Sequence, residues 1–283
     1  MNTLRKRLLL NLTLLVVVVG LIALVLHEQR DGEAPEDHRL LGLEQEAIEQ
    51  LRIERPEQPA VHVVRDADGQ WQLREPLAIA ANRQRIDSLL RVARLQSLGS
   101  FPLAGETLSD YGLQTPVVTL VVNDTLRLDF GGHTALDYRR YLRLGETIHI
   151  VPDTLYYHLI GEPHGFVAHR LLPEGARINA LELPERQLYR HDNQWRLEPE
   201  DALRSADDIQ RLLDAWQHPG IIQVRRYQGQ EGSPIRVHLE DGRELAFLLL
   251  REEEIALARP DLGIQYQLSA SGARELLGLQ TQE

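Results

Sequence analysis

Five histidines, His133, His149, His158, His164 and His169, fall within 37 residues of this chain. The first chemistry they suggest is zinc binding, which needs three or four converging ligands of fixed geometry. Their spacing does not supply it. No HExxH or HxH pair is present, and His158, His164 and His169 follow one another at steps of six and five residues. Surface or hydrogen-bonded imidazoles are therefore expected. Carboxylates are plentiful, with 42 Asp plus Glu, but a glycosidase pair is defined by a separation of about 5–10 Å that linear sequence does not fix. Glu252-Glu253-Glu254 reads as a solvated turn, and Asp207-Asp208 as the start of a helix, where the dipole favours acids. Cysteine is absent, which excludes disulfides, thiolate metal sites and a cysteine nucleophile. Lys6 is the only lysine, so a Walker lysine, a Schiff base and a Ser–Lys dyad are excluded beyond the first residues. No serine lies in a GxSxG elbow. Gly161-Glu162-Pro163-His164-Gly165 lacks the flanking strand and helix of a phosphate loop. No catalytic residue, metal or cofactor is expected.

Two tryptophans recur in matching surroundings, Trp71 in DGQWQL and Trp195 in DNQWRL. Each could stack on a sugar. Repetition at matching core-forming positions favours packing, because tryptophan contributes a large buried area. Tyr111, Gly112 and Pro116, within YGLQTP, read as a structural turn. Tyr156-Tyr157 fits an interface or a half-buried helix equally well.

The elements that hold these residues occur twice. IEQLRIERP, Val61 to Pro76 and Asn82 to Leu95 form one copy. INALELPE, Leu188 to Pro199 and Ser205 to Trp216 form the other. Ile86, Leu89 and Leu90 match Ile209, Leu212 and Leu213 at a constant offset of 123, and their helical spacing turns each set toward one core. Val61 and Val63 lead through the Asp66-Ala67-Asp68-Gly69 turn into a hairpin arm that Pro76 stops, as Pro199 stops its counterpart. Asn82 and Ser205 are expected N-caps, with a capping-box spacing from Ser205 to Asp208. Val117, Thr119 and Val121 begin a further hairpin through Asn123-Asp124 to Leu126, Leu128 and Phe130; Ile235, Val237 and Leu239 do so through Asp241-Gly242 to Leu245 and Phe247. Tyr138 to Val151 makes another hairpin around Gly145-Glu146, and a helix over Asp153 to Ile160 closes the first copy. In the second, Glu253 to Ala258, Gln265 to Leu268 and a helix over Ala270 to Leu277 follow.

Ahead of both copies, Leu8 to Leu26 is a run of 19 uncharged residues. As a helix it spans roughly 28 Å, close to a bilayer core. Arg5, Lys6 and Arg7 before it place the N-terminus in the cytoplasm by the positive-inside rule. A cleaved signal peptide would have a shorter apolar core and a small-x-small site, and HEQRDGEAPEDH offers none. An uncleaved anchor is the expectation. Beyond residue 7 the chain has 28 basic and 42 acidic residues, about -14, which opposes adsorption on anionic lipid and nucleic-acid binding. The organisation expected is a cytoplasmic stretch 1–7, a transmembrane helix 8–26, a linker 27–39 and two α+β modules of antiparallel sheet with packed helices, 40–172 and 173–283.

An anchor, then Asp68-Gly69-Gln70-Trp71-Gln72-Leu73, Pro76, an apolar helix and Tyr111-Gly112-Leu113-Gln114-Thr115-Pro116, resembles the family called "domain of unknown function 4340". The likeness covers most of residues 45–280; the second copy departs from it, with HDNQW for DGQW and a degraded YGLxxP. The resemblance implies a bacterial envelope protein, with some relatives resembling auxiliary parts of ABC-type transport systems. It carries over no catalytic residues.

The leading expectation is a non-enzymatic single-pass inner-membrane protein whose periplasmic domain scaffolds other envelope proteins, an ABC-type transporter among them. A second is a periplasmic module binding glycan or a small ligand, which requires an open pocket between the modules lined by aromatic and Arg side chains. The last is a hydrolase using paired carboxylates, which requires two acids in one cleft.

Overall fold

A computed structural model describes residues 39–135, 138–192, 194–199, 205–251 and 253–278. The expected span 8–26 and nearly all of the linker 27–39 lie outside them. Among the described residues no helix is long and apolar enough to cross a membrane.

The chain opens on two hairpins, β1 (Gln50–Arg55), β2 (Gln58–Arg65), β3 (Trp71–Glu75) and the short β4 (Ile79–Ala80). Asp66 makes the tight turn before Trp71: its carboxylate accepts from the backbone N–H of Asp68 (3.1 Å) and Gln70 (2.8 Å) and from the Gln72 amide (2.9 Å). Helix α1 (Arg83–Leu89) follows, tightening into a 3-10 turn over Leu90–Arg94. Asn82 caps it by accepting from Arg85 N–H. Then come β5 (Gly99–Pro102), β6 (Val118–Val122), β7 (Leu126–His133), β8 (Arg139–Leu144), β9 (Thr147–Pro152) and the short α2 (Tyr156–Leu159). The second half runs β10 (Ile178–Leu183), β11 (Arg186–His191), β12 (Gln194–Glu198), α3 (Ala206–Gln217), β13 (Ile221–Arg226), β14 (Ser233–Leu239), β15 (Glu244–Arg251), β16 (Ile255–Arg259), β17 (Ile264–Leu268) and α4 (Ala270–Leu276). Ser205 and Asp208 form the reciprocal capping box of α3.

These strands make two antiparallel sheets with few helices, an α+β arrangement. The nine-stranded sheet has the order β4-β3-β2-β1-β6-β7-β8-β9-β5, and the eight-stranded sheet β12-β11-β10-β14-β15-β16-β17-β13. Leaving β4 aside, the two orders correspond strand for strand. In each, the strand after the capped helix crosses to the far edge of the sheet. Pro76 and Pro199 follow the last residues of β3 and β12, and both preceding peptide bonds are cis.

One face of each sheet is apolar and buried. Leu51, Val63, Leu120 and Phe130 from the first sheet join Leu181, Val237, Phe247 and Tyr266 from the second in a single continuous core. Ile86 and Leu89 on α1, and Leu212 and Trp216 on α3, pack against it. The other face of the first sheet carries charge, while that of the second also holds a small apolar cluster of Leu250, Ala256 and Ala258. Arg52 bonds Glu75 (2.9 Å), and Asp129 accepts from Thr119 (2.6 Å) and Arg143 (2.5 Å).

Two local expectations are corrected. In β6 the core face is Val118, Leu120 and Val122, while Thr119 turns to the charged face and Val117 is exposed. The string VVTLVV is apolar at nearly every place, so alternation alone does not choose the face. The helix expected over Asp153 to Ile160 shrinks to α2. Asp153 instead extends the strand pairing, its N–H donating to Tyr138 C=O (2.9 Å) and its carboxylate taken by Arg140 (2.6 Å). Trp71 and Trp195 are half-buried and pack against the rim of the core.

Candidate functional site

The two sheets meet along a seam built by the segment that joins them. Ala81 and Val167 form an antiparallel bridge. Ala168 N–H donates to Ala80 C=O (2.9 Å), and Asn82 N–H to Phe166 C=O (2.7 Å). These bonds close the free edge of β4. Beside them lies a cleft of about 630 Å³. Trp71 and Arg65, cross-strand partners on β3 and β2, form one wall with Arg83 at the start of α1. Arg259 at the end of β16 and Tyr266 on β17 form the opposite wall, and Arg170 and Glu174 of the connecting segment complete the rim.

The side chains are held in different ways. The Arg65 guanidinium lies 5.1 Å from the Trp71 ring centroid, a cation–π distance, and donates to Glu46 C=O (3.2 Å). Arg259 is fixed by Asp261 through two bonds of 2.9 and 2.7 Å. Arg170 pairs with Glu174 at 3.0 Å, whereas Arg83 only grazes Asp87 at 4.0 Å and is 82% exposed. Tyr266 is almost fully buried. Burial pushes its phenol up to about 12, with the Asp261 charge adding and the Arg259 charge opposing. Its hydroxyl makes no hydrogen bond among the described residues. The cleft is lined by four arginines and two acids, Asp87 and Glu174. A basic cleft in an acidic domain attracts anions.

A second groove of about 1130 Å³ runs along the seam between β13 and the 162–164 turn. It is amide-lined, by Gln58, Gln223, Gln228, Gln230, Gln265 and Gln267. Gln223 and Gln267 bond each other across β13 and β17 (2.5 Å), and Gln265 Oε1 is buried without a partner among the described residues.

Of the two repeated tryptophans, the Tyr111–Pro116 turn and the five histidines, only Trp71 lines the cleft. Trp195 sits under Arg190 (5.7 Å) at the corresponding place of the second sheet and lines neither cavity. Tyr111, Gly112 and Pro116 form a docking turn. Gly112 is left-handed (φ +65°), and a Cβ on it would stand 2.8 Å from Gly132 N on β7. Tyr111 stacks against Tyr141 (4.9 Å) and donates to Glu106 (2.6 Å), a bond that pushes its phenol up to about 12. Pro116 is half-buried just before β6.

The five histidines do not converge, and among the described residues no three His, Cys, Asp or Glu side chains group to hold a metal. His149 bonds Ser97 (3.0 Å). His133 meets Asp153 (3.0 Å) and Arg140 (2.8 Å), and Arg140 in turn lies 3.7 Å from the Tyr156 ring centroid. His158, His164 and His169 occupy the seam, and burial is the main cause that holds each imidazole below its ordinary range. Asp87 and Glu174, the acids of the cleft, each face an arginine four residues away, which is the geometry of a structural ion pair.

Sequence reasoning missed Tyr266, Arg259 and the Arg140–Asp153 pair. Tyr266 had a signal, since Ile264, Tyr266 and Leu268 alternate toward the core. The buried arginine had none, because Arg139 and Arg140 point to opposite faces of one strand and nothing in the sequence says which is covered. No family model, curated protein or solved structure matches the chain.

Proposed function

We propose that this chain is a non-enzymatic single-pass inner-membrane protein of the bacterial envelope. In this reading residues 8–26 are an uncleaved anchor, the N-terminus is cytoplasmic, and two duplicated α+β modules, 40–172 and 173–283, stand in the periplasm as a scaffold for other envelope proteins. One observation carries it: two sheets of corresponding strand order share one hydrophobic core. Such a body is rigid and offers long recognition surfaces. A tether raises the effective concentration of its partners at the membrane. The likeness in DGQWQL and YGLQTP supports an ABC-type transport complex as the setting, an argument by analogy. Affinity purification of the full chain from solubilised membranes tests the proposal. Stoichiometric co-recovery of envelope proteins is expected. Recovery of the chain alone, or of a soluble form trimmed just beyond residue 26, overturns it.

A second reading, a periplasmic module that binds glycan or a small ligand, is favoured by the seam cleft. Its volume lies in the range of about 300–1,000 Å³ usual for such sites. Its walls hold an aromatic face, a buried hydroxyl and arginines. Binding of small sugars to the full chain in detergent, followed by calorimetry, tests it.

A further inference from the structure

We infer that the seam cleft takes a sugar bearing an anionic group, stacked against Trp71 and held through that group by Arg83 and Arg170. This rests on the ligand-binding reading and names its chemistry.

Four observations lead there. Trp71 is half-buried at the cleft wall and braced by Arg65 at 5.1 Å, so it offers an aromatic surface of fixed position. Sugar C–H faces pack on such surfaces, and the ring's small rotamer freedom makes the contact cheap in entropy. Arg83 and Arg170 sit on the rim, Arg83 with a partner at the limit of contact and Arg170 bonded at 3.0 Å to an exposed Glu174 that a ligand anion would displace. Arg83 is 82% exposed with Asp87 only at the 4.0 Å limit, and Arg170 is 35% exposed beside Glu174. Both can turn to a ligand anion, for which a guanidinium fork is matched. Arg259, by contrast, is spent on Asp261. Tyr266, almost fully buried on the cleft wall, has a hydroxyl that makes no hydrogen bond among the described residues. Buried hydroxyls are ordinarily bonded, and a sugar hydroxyl is a suitable partner.

An acidic peptide is the rival occupant. Extended peptides are usually taken up along an open sheet edge. The strand edge at this cleft is closed: β4 covers β3, and the Ala81–Val167 bridge with the Ala168-to-Ala80 bond covers β4.

The test uses the full chain in zwitterionic detergent and sugar pairs that differ by one anionic substituent. N-acetylmuramic acid is compared with N-acetylglucosamine, and glucuronic acid with glucose; glucose 6-phosphate tells a carboxylate from a phosphate requirement. The acidic member of a pair is expected to bind at least about tenfold more tightly at low salt, the preference shrinking as salt is added. In the exposed double variant Arg83→Gln, Arg170→Gln the two members should bind alike. Tyr266→Phe should weaken both members about 3–10-fold, the worth of one neutral hydrogen bond. Equal binding of the acidic and neutral members to the unaltered chain overturns the anion inference but leaves the ligand-binding reading standing. An acid preference that survives the double variant also overturns it, as does tighter binding of an aspartyl-glutamyl peptide. Absence of saturable binding by every probe removes the inference and the ligand-binding reading together. Co-purification with envelope proteins is unaffected by that result and decides the scaffold reading separately.

Discussion

Gly112 shows how a single position fixes a loop. Its left-handed φ of +65° is one constraint, and the closeness of β7 is another: an added Cβ would stand 2.8 Å from Gly132 N. Gly145, in the β8–β9 turn, has a similar φ of +58° but open space around it. Replacing Gly145 with Ala therefore costs only the backbone preference, about 1–2 kcal/mol. Replacing Gly112 with Ala adds an overpacking cost of about 1–3 kcal/mol. Urea denaturation of the two variants should show Gly112→Ala as clearly the less stable; equal midpoints would mean that the Tyr111 turn does not dock on β7 as described. The turn was legible in YGLQTP because Gly and Pro punctuate it. Its docking partner, Gly131-Gly132, was not, since a glycine pair inside a strand signals close approach without saying of what. The Arg140–Asp153 pair was equally hidden. A buried arginine looks like a surface one until the carboxylate that neutralises it is placed, and that carboxylate comes from across the β8–β9 pair.

Elements were more legible than their faces. The helix starts followed from Asn82 and Ser205, whose side chains accept from the backbone N–H groups of Arg85 and Asp208. The hairpins followed from Asp66 and Asp241, both acids at turns. The face of β6 did not, because nearly every residue there is apolar. The short helix α1 also carries a lesson: it gives way to a 3-10 turn after Leu89, while α3 runs 12 residues. At the offset of 123 that aligns the helices, Trp216 stands where the first copy has Ala93. Trp216 is fully buried, packs edge-on to Phe247 (5.7 Å) and donates from Nε1 to Leu276 C=O (3.0 Å), joining α3 to α4. The second copy thus gains an anchor that the first lacks. The cap matters for the same helix. Ser205→Ala removes the acceptor for Asp208 N–H and should cost about 0.5–2 kcal/mol. Hydrogen exchange should quicken in the first turn of α3 and remain slow around Trp216. Uniform quickening along the helix would show that the cap is not what holds its start.

At the scale of the whole molecule the seam is the feature the sequence did not display. Periodicity reports which face of an element is apolar; it does not say which other element covers that face, so two modules could be read without the contact between them. That contact has a chemical consequence. His158, His164 and His169 lie on or beside the 163–166 turn that packs on β13, and burial lowers the proton affinity of each. Arg91 and Arg85 add to this at His158; at His164, Glu162 opposes it and Arg226 reinforces it. Above the ordinary histidine pKa of about 6.5 these rings are neutral in both the folded and unfolded chain, and stability does not depend on them. As pH falls through that value the unfolded chain takes up protons that the folded chain resists, so the unfolded state binds more and stability drops. Carboxylates held low by hydrogen bonds, Asp66, Glu182 and Asp241 among them, act only at more acidic pH. Between pH 7 and 5 the thermal midpoint should therefore fall. Because one core serves both sheets, it should fall as a single cooperative transition in calorimetry. Exchange at Val167 and Ala81 should accelerate ahead of the sheet centres. The double variant His164→Gln, His169→Gln should reduce the pH slope to what His158 and, outside the seam, His149 contribute. A midpoint that does not move over this range, or a slope that the variant leaves unchanged, would place the acid sensitivity elsewhere than the seam.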